Sequence, residues 1–367
     1  MKQSNHIIGL DLWRSLLLLG GPVTHTALMI GNVYPEYDAI WSVIQWSIHI
    51  FRMQAFFFIS GILGAFSYTR NRESWVIIRV IQLLMPLLSF WVVIMMPITI
   101  LYNDISGHHI SLLSPQHLWF LLTLIIITIS VRYVDMMSRT IIFILDNQTI
   151  YKTVMCFSIV AVLVAVLSFK LNEYTNSKLT NYIFLNTIKY GIYYFFGFFI
   201  AKSANAFEKI RCIKLWNYAI WTGIVSSFLY YMSYINKEAN HSGGPFLSIL
   251  EGVSGLTATL VCFSILSAAV GIKEVPFAIN MLKKCSFSIY LFHFPIIQII
   301  FLSHIENNLS VVPLFIFVTF MALALSVIIH EVLSRYKIYK ILFNGKIDKV
   351  LRNIILSNYS KYIGKKN

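Results

Sequence analysis

The sequence predicts an all-α polytopic membrane protein with about ten transmembrane helices and both termini on the cytoplasmic side. Three observations support that class. Of its 367 residues, 57% are hydrophobic and only 12% are charged, with a mean hydropathy of +0.72. Soluble domains carry roughly 45–50% apolar and about 25% charged residues. Apolar runs of the ~20 residues needed to cross a bilayer recur along the whole chain. Lysine and arginine collect in alternate connections, as a topology signal requires. A soluble enzyme and a disordered chain are thereby excluded. So is a nucleic-acid partner, despite a net charge of +14, because nucleic-acid binders gather their basic residues on one folded face. The partner that this spacing implies is the lipid bilayer.

The spans follow in order. The first, 7–30, has no small-residue cleavage site behind it and contains Asp11, Arg14 and His25, so it reads as a retained helix and not as a removed leader. The second, 40–68, follows the breaker Tyr34-Pro35-Glu36, and the third, 76–101, runs into Asn103-Asp104-Ile105-Ser106-Gly107. The fourth, 117–132, is short and opens on His117-Leu118-Trp119, with the tryptophan in the position of an interface anchor. Spans at 152–169, 184–201 and 214–234 come next, and His241-Ser242-Gly243-Gly244-Pro245 closes the last of these. Runs at 246–272, 285–304 and 311–333 complete the set.

An even count returns the chain to the side on which it began. With the termini inside, the inner segments hold 23 of the 29 Lys and Arg residues. The outer loops hold only Lys170, Lys178 and Lys237, against the acids Glu36, Asp38, Asp104, Glu173, Glu238 and Glu306. Residues 1–345 read as one membrane domain. Residues 346–367 read as a basic, partly amphipathic cytoplasmic tail that rests on the anionic leaflet and has no catalytic role. Cys156, Cys212, Cys262 and Cys285 show no C-x-x-C spacing and read as buried apolar thiols.

Ionisable side chains inside a span cost about 2.5–3.5 kcal/mol each on insertion scales, which makes them functional suspects. Asp11 and Arg14 are three apart and share a helix face; they form a structural ion pair or shape a cytoplasmic entrance. His25 lies about 21 Å further along the same helix, after Gly20-Gly21-Pro22, a sequence that predicts a bend and freed carbonyls. His49 and Arg52 share a face midway through the second span. An arginine at that depth needs an anion, which either Glu251 or an anionic ligand can supply. Arg70 and Arg72 read as interfacial, whereas Arg79 opens the third span and can face a phosphate-rich ligand. His108, His109 and His117 fit no compact zinc spacing, so no metal is expected. Lys189, followed by Tyr190, Tyr193 and Tyr194, fits either snorkelling or a cavity wall. His330 and Glu331 fit the interfacial end of the last span.

Several of these residues fall in stretches similar to one family. They are Leu10-Asp11-Leu12-Trp13-Arg14-Ser15 with His25, and the stretch His49-Ile50-Phe51-Arg52 through Gly61. Arg79 with Pro86, His117-Leu118-Trp119-Phe120-Leu121-Leu122, and Ser288-Ile289-Tyr290-Leu291-Phe292-His293-Phe294-Pro295 complete the set. In that order, over about residues 8–345, the chain resembles the integral membrane acyltransferase-3 family, and within it the glucan biosynthesis protein C type, a periplasmic glucan succinyltransferase. Two departures stand out. The arginine partner of Arg79 falls on Val76, and His25 stands where many relatives have two histidines.

The resemblance implies an O-acyltransferase of the bacterial cytoplasmic membrane, with no bound cofactor. Cytoplasmic acyl-CoA (acetyl-CoA or succinyl-CoA) is then the donor. The acceptor is a hydroxyl of an extracytoplasmic or lipid-linked glycan, such as a surface polysaccharide, lipopolysaccharide or periplasmic glucan. In that scheme His25 is a base or a transient acyl carrier, and Arg52 stabilises the oxyanion or holds the donor. Arg14 and Arg79, with Asp11 orienting Arg14, meet the donor phosphates. His117, Trp119, Tyr290 and His293 bind the sugar at the outer mouth, and His49, Glu251 and Lys189 are further cavity candidates. A transporter or flippase of a lipid-linked glycan or acyl donor is the alternative. It predicts internal repeats with matching broken helices, and the sequence displays none.

Overall fold

The computed structural model describes residues 8–68, 72–106, 111–112, 116–174, 179–210, 213–240, 244–272 and 277–363. Among these, every regular element is helical. The helices are α1 (Ile8–Val33), α2 (Asp38–Tyr68), α3 (Arg72–Phe90), α4 (Met96–Ser106), α5 (Trp119–Met136), α6 (Ser138–Asn147), α7 (Ile150–Tyr174), α8 (Leu179–Lys202), α9 (Ala204–Ile210), α10 (Trp216–Asn240), α11 (Gly244–Gly271), α12 (Phe277–Leu302), α13 (Val311–Leu333), α14 (Lys337–Leu342) and α15 (Lys349–Ile363). A π-turn at Trp91–Met95 joins α3 to α4 as one rod. Pro97 follows it and has no N–H to return to the carbonyl four residues back, which lies inside the π-turn.

Nine stretches among the described residues are long and apolar enough to span a bilayer. They match nine of the ten expected spans. The tenth, on α10, falls short because its tryptophans, tyrosines, serines and asparagines dilute its apolar content. Its position nevertheless carries it through the same depth as α2. Trp216, at its start, packs on Trp13 near the inner end of α1. Midway, Trp46 Nε1 donates to Ser226 Oγ at 3.3 Å, and Ser47 and Ser227 hydroxyls meet at 2.8 Å. Near its end, the Tyr234 hydroxyl donates to Asp38 at the start of α2. The crossing is therefore antiparallel and complete, which keeps the even parity. The early part of α1 and the Arg352 end of the chain lie on one face, because Asp11, Arg14 and Arg352 line the same cavity.

The core forms where α2 meets α1, α8 and α11. Its largest fully buried side chains include Phe57, Phe58, Phe198 and Phe263. Close approach here depends on glycine. A Cβ on Gly61 of α2 would sit 1.9 Å from the Tyr194 carbonyl oxygen of α8, and one on Gly197 would sit 2.2 Å from that of Phe58. Small residues that let backbones touch are what hold helices together where lipid offers no hydrophobic gain. The outer helices turn their apolar side chains outward: Val312, Ile316 and Phe320 on α13, and Leu163 and Leu167 on α7, are exposed as a lipid-facing stripe must be. Cys262 and Cys285 are buried as expected, but Cys156 is exposed on that lipid-facing side of α7. Cys212, His108 and His109 lie outside the described residues.

Candidate active site

Two adjacent spaces lie within the bundle. The inner one is a basic vestibule of about 420 and 550 Å³ in two lobes. Both lobes are lined by Arg14, Ser60, Arg79, Gln82 and Leu124. The chain's last segment closes its wall. Arg352 lines one lobe, and Asn344, Gly345, Lys346 and Ile347 line the other. That segment is pinned: the Asp348 carboxylate caps α15 by accepting from the Leu351 N–H at 2.8 Å and pairs with Lys337 Nζ at 2.7 Å. The hydrogen bond from Lys337 holds the Asp348 carboxyl below its ordinary range. The tail, expected to lie on the leaflet without a role, thus supplies Lys346 and Arg352 to the vestibule.

The pairing of Asp11 with Arg14 is present at 3.3 Å, and Asp11 also meets Lys283 Nζ at 3.3 Å. Among the described lining residues Asp11 is the acid, and both Arg14 and Lys283 meet it. Arg79, Lys346 and Arg352 add three more cationic side chains to the lining.

Leu18, Phe120 and Tyr290 line both the vestibule and a second, much smaller space. This cavity of about 30 Å³ is lined by His25, Arg52, His117, Trp119 and His293, among others, and has room for a water or two. The histidines come from α1, α12 and the 3₁₀ turn Gln116–Leu118 before α5. The rings of His25 and His293 are 5.3 Å apart, and those of His117 and His293 are 5.5 Å apart. Phe294 packs edge-on against His25 at 4.9 Å and tilted against His117 at 5.2 Å.

Backbone carbonyls fix two of the three imidazoles. His293 Nδ1 faces the Ile289 carbonyl on its own helix at 2.8 Å. His117 Nε2 faces the Leu291 carbonyl at 3.1 Å. That second carbonyl is free because Pro295, four residues on, has no N–H to occupy it. A carbonyl can only accept, so each contacting nitrogen carries the proton. The opposite nitrogens, His293 Nε2 and His117 Nδ1, are left as bare acceptors. Both are buried without a hydrogen-bond partner, as is His25 Nδ1.

Arg52 reaches into this group from α2, and its Nη1 donates to Thr24 Oγ1 at 2.7 Å. Thr24 in turn donates to the carbonyls of Gly20 and Gly21. The two glycines read from the sequence as a bend. In the structure α1 is one continuous helix with Pro22 inside it, and the glycines serve as clearance. A Cβ on Gly20 would meet Arg52 Cδ at 2.9 Å, and one on Gly21 would meet His293 Nε2 at 3.1 Å.

Other expectations change. Glu251 does not serve as the partner of Arg52; it pairs with Lys189 at 3.2 Å, which gives Lys189 a structural partner. His117, Tyr290 and His293 do not sit at an outer mouth but pack around His25. The Tyr290 hydroxyl donates to the His117 carbonyl at 2.6 Å, so only its ring is offered to the cavity. Trp119 packs on Tyr190 at 5.3 Å beside the same space. His49, three residues before Arg52 on α2, is half-buried. His330 is not merely interfacial: Ser288 Oγ bonds His330 Nδ1 at 2.7 Å and the Tyr339 hydroxyl at 2.8 Å. Gln82, Lys346 and Arg352 line the vestibule although nothing in the sequence singles them out. Thr24, legible as a polar residue one position before His25, is the one that holds Arg52.

The family model described as an acyltransferase domain, acyltransferase-3, matches residues 7–331. No curated protein and no solved structure matches the chain.

Proposed function

The chain belongs to the acyltransferase-3 family of membrane acyltransferases, and on that premise we propose that it moves an acyl group from cytoplasmic acyl-CoA to a hydroxyl of an extracytoplasmic or lipid-linked glycan. The observation that supports this reading is the adjacency of the two spaces. A roomy basic vestibule adjoins a cramped histidine cavity across Leu18, Phe120 and Tyr290. A coenzyme A thioester has those two parts: a polyanionic nucleotide and a small neutral reactive end. Arg79 and Arg14, with Lys346 and Arg352, attract the phosphates as charge-assisted partners. The thioester then extends past Tyr290 to His25.

Alcohol attack on a thioester needs a proton acceptor, and imidazole has the appropriate basicity. His25 takes the acceptor's proton or transiently carries the acyl group. The guanidinium of Arg52, anchored by Thr24, faces the oxyanion that forms at the acyl carbon. His117 and Trp119 line the acceptor side. The small cavity favours acetyl over succinyl. So does the pairing of Lys189 with Glu251, which removes one cation that a succinyl carboxylate would need. A lipopolysaccharide, another surface polysaccharide or a periplasmic glucan, reached from the bacterial inner membrane, supplies the hydroxyl.

The test is free thiol released from acetyl-CoA and from succinyl-CoA by purified protein in detergent, with water as the acceptor. Release from acetyl-CoA that depends on His25 is the expected result. Release from neither donor by folded protein reopens the transporter reading.

A further inference from the structure

Acyl transfer from a thioester to an alcohol frees one proton at the acceptor oxygen and consumes one at the leaving sulfur. On the acyl-transfer reading the two ends approach from opposite directions. The acceptor comes from the outer half, where His25 lies, and the sulfur comes from the vestibule. Resting on the acyl-transfer reading, we propose that His293 is a second catalytic histidine, the acid that delivers to the departing thiolate the proton that His25 has taken from the acceptor hydroxyl.

Four features point to this ring. Its Nδ1 proton is committed to the Ile289 carbonyl, so Nε2 is its one open position, and that nitrogen is buried and unpartnered. Nε2 lies against Gly21, one helical turn or about 6 Å inward of His25 along α1, on the side from which the thioester arrives. Tyr290, which lines both spaces, is three residues away on the same face of α12. Finally, His293 is the ring in contact with both other imidazoles. When Nε2 is protonated, the Ile289 carbonyl stabilises the cation through Nδ1–H.

The step balances. The acceptor O–H bond breaks as the acyl C–O bond forms, and the proton goes to His25. The C–S bond breaks, and its electron pair stays on sulfur. His25 passes a proton to His293 Nε2, which gives it to the thiolate. Both rings finish neutral, and the products are an ester and a thiol.

A general acid matters only when the leaving group needs one, so two donors separate the roles. Thiol release is measured with water as acceptor, from acetyl-CoA and from S-phenyl thioacetate, whose thiophenolate leaves without protonation. His293→Gln is expected to slow release from acetyl-CoA by about 10²–10⁴-fold but from the phenyl ester by less than about tenfold. His25→Gln slows both. Gly21→Ala, which places a methyl group against Nε2, reproduces the His293→Gln split in a chain whose histidines are all intact. Equal losses with both donors, or undiminished release from acetyl-CoA in His293→Gln, overturn the assignment of His293 while leaving acyl transfer in place. Absence of release from either donor by the wild-type protein overturns acyl transfer itself, and the acid role with it.

Discussion

The vestibule and the histidine cavity meet at Tyr290, yet they are built on opposite principles. The vestibule is wide and charged, and its cations come from α1, α3 and the chain's last segment. The cavity is an order of magnitude smaller, and its polar groups are imidazoles around one anchored guanidinium. Burial of a charge in a narrow apolar space is costly, so a site for polyanions needs room and water. Proton transfer needs the reverse: few groups, fixed tautomers and bare lone pairs. On the proposed function one region binds the donor and the other makes and breaks bonds, and substitutions in the two are expected to fail differently.

The largest effect is expected in the cavity. His25→Ala lowers kcat for thiol release by about 10²–10⁴-fold with little change in KM for acyl-CoA, and the variant still inserts and purifies as a monodisperse protein. Arg52→Met comes next. Loss of an oxyanion donor costs about 10²–10³ in kcat, which steady-state kinetics resolves from a binding defect. In the vestibule the pattern reverses. Arg79→Gln or Arg352→Gln raises KM for acetyl-CoA by roughly tenfold, the worth of one charge-assisted contact, while kcat holds. The same variants process acetyl-pantetheine, which has no nucleotide, as well as the wild type does. A kcat loss in Arg352→Gln equal to that in His25→Ala would erase the division between the two regions.

A subtler probe is Pro295→Ala. It returns an N–H to α12, and that group competes for the Leu291 carbonyl that now holds His117. Turnover is expected to fall by several-fold, without loss of thermal stability, since alanine suits a helix interior better than proline. The smallest effect belongs to Lys189→Met. It strands Glu251 and is expected to lower thermal stability by about 1 kcal/mol, as for a partly exposed pair, with thiol release unchanged.

The division between regions was only half legible in the sequence. The spans, their parity and the Asp11–Arg14 pair follow from periodicity and spacing, which are local. His25 and Arg52 stand out because a charge inside an apolar run is conspicuous wherever the run sits. The assembly of His25 with His117 and His293 was hidden, because it depends on how α1, α5 and α12 pack, and no spacing encodes that. Glu251 looked like a partner for Arg52 by elimination, but an arginine can be held by a threonine hydroxyl, and the neighbouring helix offered Lys189 for Glu251. The role of the last segment was obscured by its composition, since a basic tail beside a membrane looks the same whether it lies on lipid or closes a cavity.

The boundary that Leu18, Phe120 and Tyr290 form between the two spaces has an electrical consequence. A protein whose substrates meet inside the bilayer from opposite sides risks becoming a leak for protons and ions across an energised membrane. A fixed guanidinium in a constriction repels cations, including hydronium, as selectivity sites in channels do. Arg52 lines the histidine cavity, which has space for a water or two, next to these three apolar or aromatic side chains. The same residues that, on the proposed function, bring a thioester to an alcohol would thus keep the membrane insulating between turnovers.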